Sequence, residues 1–346
     1  MTSIKIDILC LKGQNNLTNA IKQSDFKILS RELGSKKVEI NIIENINDLT
    51  FKNPIFIHDF SDCFQNVQVL NKYNDKYYIE FQAFKAKISK KENPIGDLYM
   101  WLNTYPRICF STVSGVNDIR TITDNLILIR KILYYPSKLL EMGVIQYALN
   151  NIDYKDMIKK YLKERGVTKG FIRFNNNNNP SILVDVNDDT SFDINIKKSI
   201  GRTFNTSTLI IHPIKDEKTY RKGVISIIYV EGKYSHSVIK KPNNFNTGER
   251  EYTVYKYSPS FSLIKICRSV LNCVNFNLNS NFPIIQINFA HGTDSSYPYL
   301  LSKVNYVDPK LYLEVNKKGI KKVRKMILNK IKEFQQLDNL KKNISY

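Results

Sequence analysis

Residues 223–242 read GVISIIYVEGKYSHSVIKKP, and the rest of the chain is best read outward from them. Ile225 to Val230 is a β-branched and aromatic run, the composition of a strand. Glu231-Gly232 supplies a tight turn. Tyr234 to Val238 returns as a second strand and delivers Lys240 and Lys241 before Pro242 stops it. The hairpin therefore ends in a polar and basic cluster.

Downstream, an Asn-rich loop at 243–248 leads to a helix over Ser262–Val274, with Leu263, Ile266, Val270 and Leu271 on one face. Ile284–Phe289 and Leu300–Val307 form a strand pair around Gly292-Thr293-Asp294. A long basic helix closes the chain over Gly319–Leu340. Val323, Met326, Ile327, Ile331 and Phe334 form its packing stripe, and lysines cover the other face.

Upstream, Thr208–His212, Gly170–Phe174 and Ser181–Val186 read as strands, and Tyr154–Arg165 as a helix stopped by Gly166. Asp124–Met142 has helical period up to Gly143, with a break or kink at Pro136, and Asp189–Gly201 has room for another helix. Asparagines 175–179 read as a low-complexity insertion. The first third interleaves strands (Ile4–Leu11, Val38–Ile43, Pro54–His58, Tyr77–Phe84, Arg107–Ser111) with a short helix at Gly96–Asn103. That alternation argues for an α/β layer on a mostly parallel sheet.

A length of 346 residues allows two or three units, and the order of segments argues for three. They are an N-terminal α/β domain over 1–120, a central α+β lid over 121–206, and a C-terminal unit over 207–346 with an antiparallel sheet and the basic helix. No apolar run reaches the length of a membrane span. The start, MTSIKIDILCLKG, is too short and polar for a signal peptide and reads as a first strand. Five scattered cysteines without CxxC spacing suggest neither a zinc site nor a disulfide framework, and point to a reducing, cytoplasmic setting. The net charge of +20 favours anionic partners: a nucleotide, another anionic ligand, or nucleic acid bound without sequence preference. The Lys- and Asn-rich composition accounts for part of that charge without any ligand. No P-loop, dinucleotide, zinc-protease or serine-hydrolase motif is present.

The order of these segments resembles the ATP-grasp superfamily, in its branch with a glutathione-synthetase-like ATP-binding domain. Members of that branch carry a hairpin close to GE-S-hydrophobic-dG-SHAV-K-P. Here it runs Gly223-Val224-Ile225-Ser226, Glu231-Gly232, Ser235-His236-Ser237-Val238, Lys240, Pro242. The preceding strand ends His212-Pro213, where the family has Q-P. Trp101-Leu102 and Gly143-Val144 resemble the upstream landmarks. Gln286-Ile287-Asn288, Lys303-Val304-Asn305 and Asp308-Pro309-Lys310-Leu311 resemble R-x-D, E-x-E/N and E-P-x-L.

The resemblance implies ATP as cofactor, magnesium bridging its phosphates, and joining of a carboxylate to an amine through an acyl-phosphate. It puts Lys169, Arg173 and Lys240 at the phosphates, His212 at the adenine edge, His236 facing the cleft, and Asn288 and Asn305 at the metal. Each also reads without a ligand: His212 as a packed strand end, His236 as a strand histidine, Lys240 as a solvated lysine. The departures are concentrated at the metal. Asn288 is neutral, Lys303 is a cation, and Gln286 and Val224 replace an arginine and an acid. Magnesium prefers hard oxygen ligands, carboxylates above all. The expected function is therefore a catalytically inactive or altered descendant of an ATP-dependent carboxylate–amine ligase, in a binding or assembly role. A working ligase and a basic nucleic-acid-binding protein are the alternatives.

Overall fold

The computed structural model describes residues 4–9, 16–34, 38–43, 55–57, 109–111, 143–146, 154–174, 182–190, 208–243, 252–278, 283–293, 295–305 and 309–344. The expected strand Tyr77–Phe84 and helices Gly96–Asn103 and Asp124–Met142 lie outside these residues, as does most of Asp189–Gly201.

The first layer is parallel, as expected. Strands β1 (Ile4–Leu9), β2 (Val38–Ile43), β3 (Ile55–Ile57) and β4 (Cys109–Ser111) lie in the order β2-β1-β3-β4. Helix α1 (Asn16–Gly34) links β1 to β2 and was not anticipated. Its signal was the spacing of Leu29 and Leu33, both fully buried, with Ile28 beside them.

The second layer is antiparallel, ordered β5-β8-β6-β7 from β5 (Gly143–Gln146), β6 (Lys169–Phe174), β7 (Ile182–Asp185) and β8 (Thr208–Pro213). Helix α2 (Tyr154–Glu164) packs Ile158 and Leu162 against Ile172, Val184 and Ile211. Gly143 begins a strand here rather than simply ending a helix. β8 pairs with both β5 and β6, so this sheet continues through Pro213, past the expected boundary at 206. Helix α3 (Glu217–Arg221) follows. Asp216 caps it, accepting from the Lys218 and Thr219 N–H groups.

The third layer is one five-stranded antiparallel sheet ordered β11-β10-β9-β12-β13. Its strands are β9 (Val224–Val230), β10 (Lys233–Pro242), β11 (Tyr252–Lys256), β12 (Ile284–His291) and β13 (Tyr299–Asn305). The hairpin and the two later strands thus share a sheet, as expected, and β11 adds an edge that was not read. The β9–β10 turn puts Glu231 at φ 48° and Gly232 at φ 70°. Positive φ at both turn residues matches the right-handed twist of the strands.

β9 is central and buried on both faces, which is why its sequence is nearly all apolar. Helix α4 (Phe261–Leu278) buries Leu263, Cys267, Val270, Leu271 and Val274, with Cys267 beside Tyr229. Ile228, Val230, Val238 and Ile284 point to the other face. There helix α5 (Lys318–Ile344) covers them with Val323, Met326, Ile327 and Ile331. The same cluster takes in Ile6, Leu29, Leu33 and Val38 of the first layer, and α1 packs against α5.

Candidate functional site

Strand register builds the site. Across β10, β9, β12 and β13, Val238, Ser226, Asn288 and Lys303 lie in one row. The next row holds His236, Ile228, Gln286 and Asn305. Residues directly opposite share a face, so Ser226, Gln286, Asn288, Lys303 and Asn305 converge on the face that also bears α5. Lys240, two residues beyond Val238, joins them, with its Nζ 5.8 Å from the Tyr252 ring centroid.

Gln286 organises the centre. It is 2 % exposed, and its Oε1 accepts from the Lys310 backbone N–H at 2.9 Å. That bond fixes the amide's orientation, because a backbone N–H can only donate. Nε2 then donates to Ser226 Oγ at 3.2 Å and to Asn288 Oδ1 at 3.0 Å. The Asn288 carbonyl is thereby turned to Gln286. The amide's remaining group, Nδ2, is a donor. One lone pair of the Asn288 carbonyl is therefore taken up inside the protein, where the family pattern has a charged carboxylate.

The surrounding charge has the same sense. The five strands of the sheet carry Lys233, Lys240, Lys241, Lys256 and Lys303, and no Asp or Glu. Among the described residues no group of three His, Cys, Asp or Glu side chains is placed to hold a metal. The donor set at the expected magnesium positions does not fit a hard divalent cation.

His236 shares the face but not the cleft role. It is 1 % exposed under the segment that precedes α5. Its Nε2 donates to the Leu311 carbonyl at 2.5 Å, so Nδ1 is the acceptor for the Ser235 hydroxyl at 3.0 Å. Burial pushes its pKa down to about 4, and nearby Lys322 adds to the effect. Both ring nitrogens are used inside the protein, and the side chain works as a neutral clamp.

The clamp belongs to a tightly determined segment, residues 309–316. Asp25 of α1 accepts from the Tyr312 N–H at 3.0 Å and the Leu313 N–H at 2.5 Å. Asn316 donates its backbone N–H to Tyr312 O and its Nδ2 to Ser237 O, both at 3.0 Å. Within this segment Tyr312 has φ 52°. Sequence reading missed Asp25 and Tyr312. The only signal for Asp25 was an acid on the buried side of a helix, and none existed for Tyr312.

The remaining candidates lie on the second layer. Lys169 Nζ is 3.0 Å from Glu217 Oε1 and 3.9 Å from Asp185 Oδ2. The Ile214 N–H donates to Lys169 O at 3.0 Å. His212 is half-buried and pairs with Phe171 across β8 and β6, and Phe171 stacks on Tyr220 of α3 at 4.7 Å. Arg173 pairs with Ile210 in the same ladder. α3 packs against β12 and so connects the two sheets. The structure thus groups Lys240, Asn288 and Asn305 on one sheet, and Lys169, Arg173 and His212 on the other.

By sequence the chain matches no family model and no curated protein. By structure it matches D-cycloserine synthetase DcsG with a TM-score of 0.66, at 8% identity, over 94% of this chain and 99% of that one. D-alanyl-alanine synthetase A from Vibrio cholerae matches with a TM-score of 0.61, at 9% identity, over 96% and 99%. ATP-grasp ligase PsnB, complexed with a phosphomimetic variant of its minimal precursor, Mg and ADP, matches at 0.53, with 7% identity over 96% and 100%.

The chain has the ATP-grasp fold. Identities this low carry the fold alone. The departures at Gln286, Asn288 and Lys303 are therefore features of this ATP-grasp chain to be explained on their own chemistry.

Proposed function

We propose that this ATP-grasp protein binds a nucleotide through its phosphates without magnesium, and that it has lost or altered carboxylate–amine ligation in favour of a binding or assembly role. One observation carries the reading: the Asn288 carbonyl is engaged by Gln286, on a sheet whose strands carry lysines and no carboxylate. Phosphoryl transfer is mostly positioning and electrostatic stabilisation. A lysine ammonium neutralises one charge, but it does not bridge two phosphates with octahedral geometry as magnesium does.

In this reading Lys240, Lys303 and the Asn288 Nδ2 meet the phosphates. Lys169 and Arg173 approach from the central sheet, and the β8 strand end at His212-Pro213 borders the base. ATP is the natural first ligand, since a D-alanine–D-alanine ligase of this fold has been solved with ATP bound.

Isothermal titration with ATP tests it. The expected affinity is the same in excess EDTA as in magnesium. Lys303→Gln should weaken binding about tenfold, the loss of one charge-assisted contact. Strictly magnesium-dependent binding would overturn the metal-free reading. Sustained ADP production with any carboxylate–amine pair would show a working ligase.

A further inference from the structure

Between Glu314 and Glu333 the chain places eight basic residues in the sixteen positions 317–332, and no acid. With 52 basic and 32 acidic residues in 346, a run of that length would hold about two or three bases and one or two acids. Lysine-rich composition therefore does not account for this run.

The charge is gathered on one side of α5. Ile320, Val323, Met326, Ile327 and Ile331 turn inward to the core. Lys318, Lys321, Lys322, Lys325 and Lys332 are exposed. Their spacing of three, four and seven residues sets them in one row along the helix, about 21 Å long at 1.5 Å per residue. Lys322 donates to the Tyr234 carbonyl, and Arg324, on the flank, lies 3.4 Å from Glu32. Among the described residues the side chains of Lys318, Lys321, Lys325 and Lys332 enter no ion pair or hydrogen bond.

This arrangement costs stability in the protein alone. Lys318 and Lys322, like Lys321 and Lys325, are like charges four residues apart, which destabilise a helix. Lys318, Lys321 and Lys322 also stand at the start of α5, where the helix dipole disfavours cations, and its first turn has no acid to offset them.

We propose that the exposed lysine row of α5 binds the phosphate backbone of a nucleic-acid duplex without reading its sequence. The inference is independent of the nucleotide reading above. Three observations select the duplex. Protein interfaces centre on apolar and aromatic anchors and are depleted of lysine, and the apolar stripe of α5 is already committed to the core. Single strands are held largely by stacking on aromatic rings, and residues 317–332 contain none. A helix enters a membrane surface by its apolar face, and here that face is buried. A duplex carries one charge per roughly 1.7 Å of axis, so each lysine along the row meets a phosphate in any register.

Filter binding of the full chain to a DNA duplex of mixed sequence, across a series of salt concentrations, tests the proposal. Four lysines without internal partners imply that log K falls with log salt at a slope of about −3.6. Lys318→Gln/Lys321→Gln/Lys325→Gln should flatten that slope by about 2.7. The same variant should keep or raise the urea midpoint, because it removes like charges. The control, Lys160→Gln/Lys163→Gln/Lys265→Gln, removes equal charge from exposed positions on α2 and α4 and should keep the wild-type slope.

Equal losses from the two triple variants would make binding a property of net charge and overturn the proposal. Absence of wild-type binding at low salt would also overturn it. A lower urea midpoint for the α5 variant would do the same, since those lysines would then have partners within the protein. Tighter binding to a single strand of the same length, or to phosphatidylserine vesicles, would give the row another occupant and overturn the duplex.

Discussion

The first and third layers share one core, and the second layer has its own. Ile6, Leu29, Leu33 and Val38 from the start of the chain lie in the same cluster as Val323, Met326, Ile327 and Ile331 from its end. Polar ties reinforce the join: Asp25 holds the 311–313 backbone, Ser24 donates to Glu314 at 2.6 Å, and Arg324 lies 3.4 Å from Glu32. The second layer closes over a separate core of Ile158, Leu162, Ile172, Val184 and Ile211. Its Lys169–Glu217 and Lys159–Asp189 pairs are half-exposed or solvent-facing. Chain ends make the body and the chain middle makes the cap, so we expect the middle to open without unfolding the rest.

Two core truncations should separate these regions most clearly. Leu162→Ala and Ile327→Ala each remove a fully buried aliphatic side chain, at a cost of about 2–5 kcal/mol. Leu162→Ala is expected to accelerate amide exchange over 154–174 while 224–230 and 318–331 stay protected. Ile327→Ala should lose protection in β9, α5 and α1 together. Equal loss everywhere from either variant would mean a single cooperative unit and dissolve the distinction.

A smaller but more local effect is expected at Gly319, where α5 meets the body. A Cβ there would lie 2.3 Å from His236 Cε1 and 2.4 Å from Nδ1. His236 is pinned at both nitrogens and cannot move aside cheaply. Gly319→Ala should cost about 1–3 kcal/mol, as overpacking does, measured by urea unfolding. A neutral result would show that the clamp on the 309–316 segment is loose.

The body was legible where burial imposes a period. β9 and β10 were read from a nearly continuous apolar run and a turn with Gly232, and α5 from a 3.6-residue stripe. α1 escaped because only the last part of its pattern, around Leu29 and Leu33, is strongly apolar. β11 escaped because an exposed edge strand reading YTVYK has little burial to impose alternation. The site was half legible. That Asn288 and Lys303 stand where the resemblance implies carboxylates could be read by position, but the Gln286 bond to Asn288 is set by Lys310, a contact across 24 residues made by a backbone N–H. The burial of His236 was not legible for the same reason: its partner, Leu311 O, is a main-chain group 75 residues away.

The body also contains two buried titrating groups with opposite effects, about 1.4 kcal/mol per pH unit each. Burial pushes the Asp25 carboxyl up to about 7. The Leu313, Tyr312 and Leu311 N–H groups pull the other way, and Glu314 adds to the rise. Its contribution to stability is fully present below the unfolded value of 3.8 and is lost as pH rises through about 7. His236, pushed down to about 4, contributes stability above its unfolded value of 6.5 and loses it as pH falls toward 4. Between roughly pH 4 and 6.5 the slopes oppose, so the wild-type profile should be nearly flat there. Asp25→Asn leaves the histidine slope alone, and that variant's stability should rise with pH across the window. A flat profile for Asp25→Asn would show that His236 does not titrate as its burial implies.

The smallest expected effect lies in the cap, at Lys169. Its ammonium is shared between Glu217 and Asp185, and the side chain is 37% exposed, so solvent screens both contacts. Removing it should therefore change stability by less than about 1 kcal/mol, the range of exposed pairs. The pair nevertheless ties β6 to α3, and α3 is the element that packs against β12 of the body. Lys169→Met should speed amide exchange at residues 217–221 while leaving the urea midpoint of the body in place. If the lysine also serves a bound phosphate, as proposed, the same variant weakens ATP in EDTA by a larger factor than it weakens the fold. Equal, small losses in both would assign Lys169 to the cap alone and move the phosphate contacts wholly to Lys240 and Lys303. A large drop in the body's urea midpoint would contradict the division itself, because a screened pair in the cap would then be supporting a core to which it contributes no apolar contact.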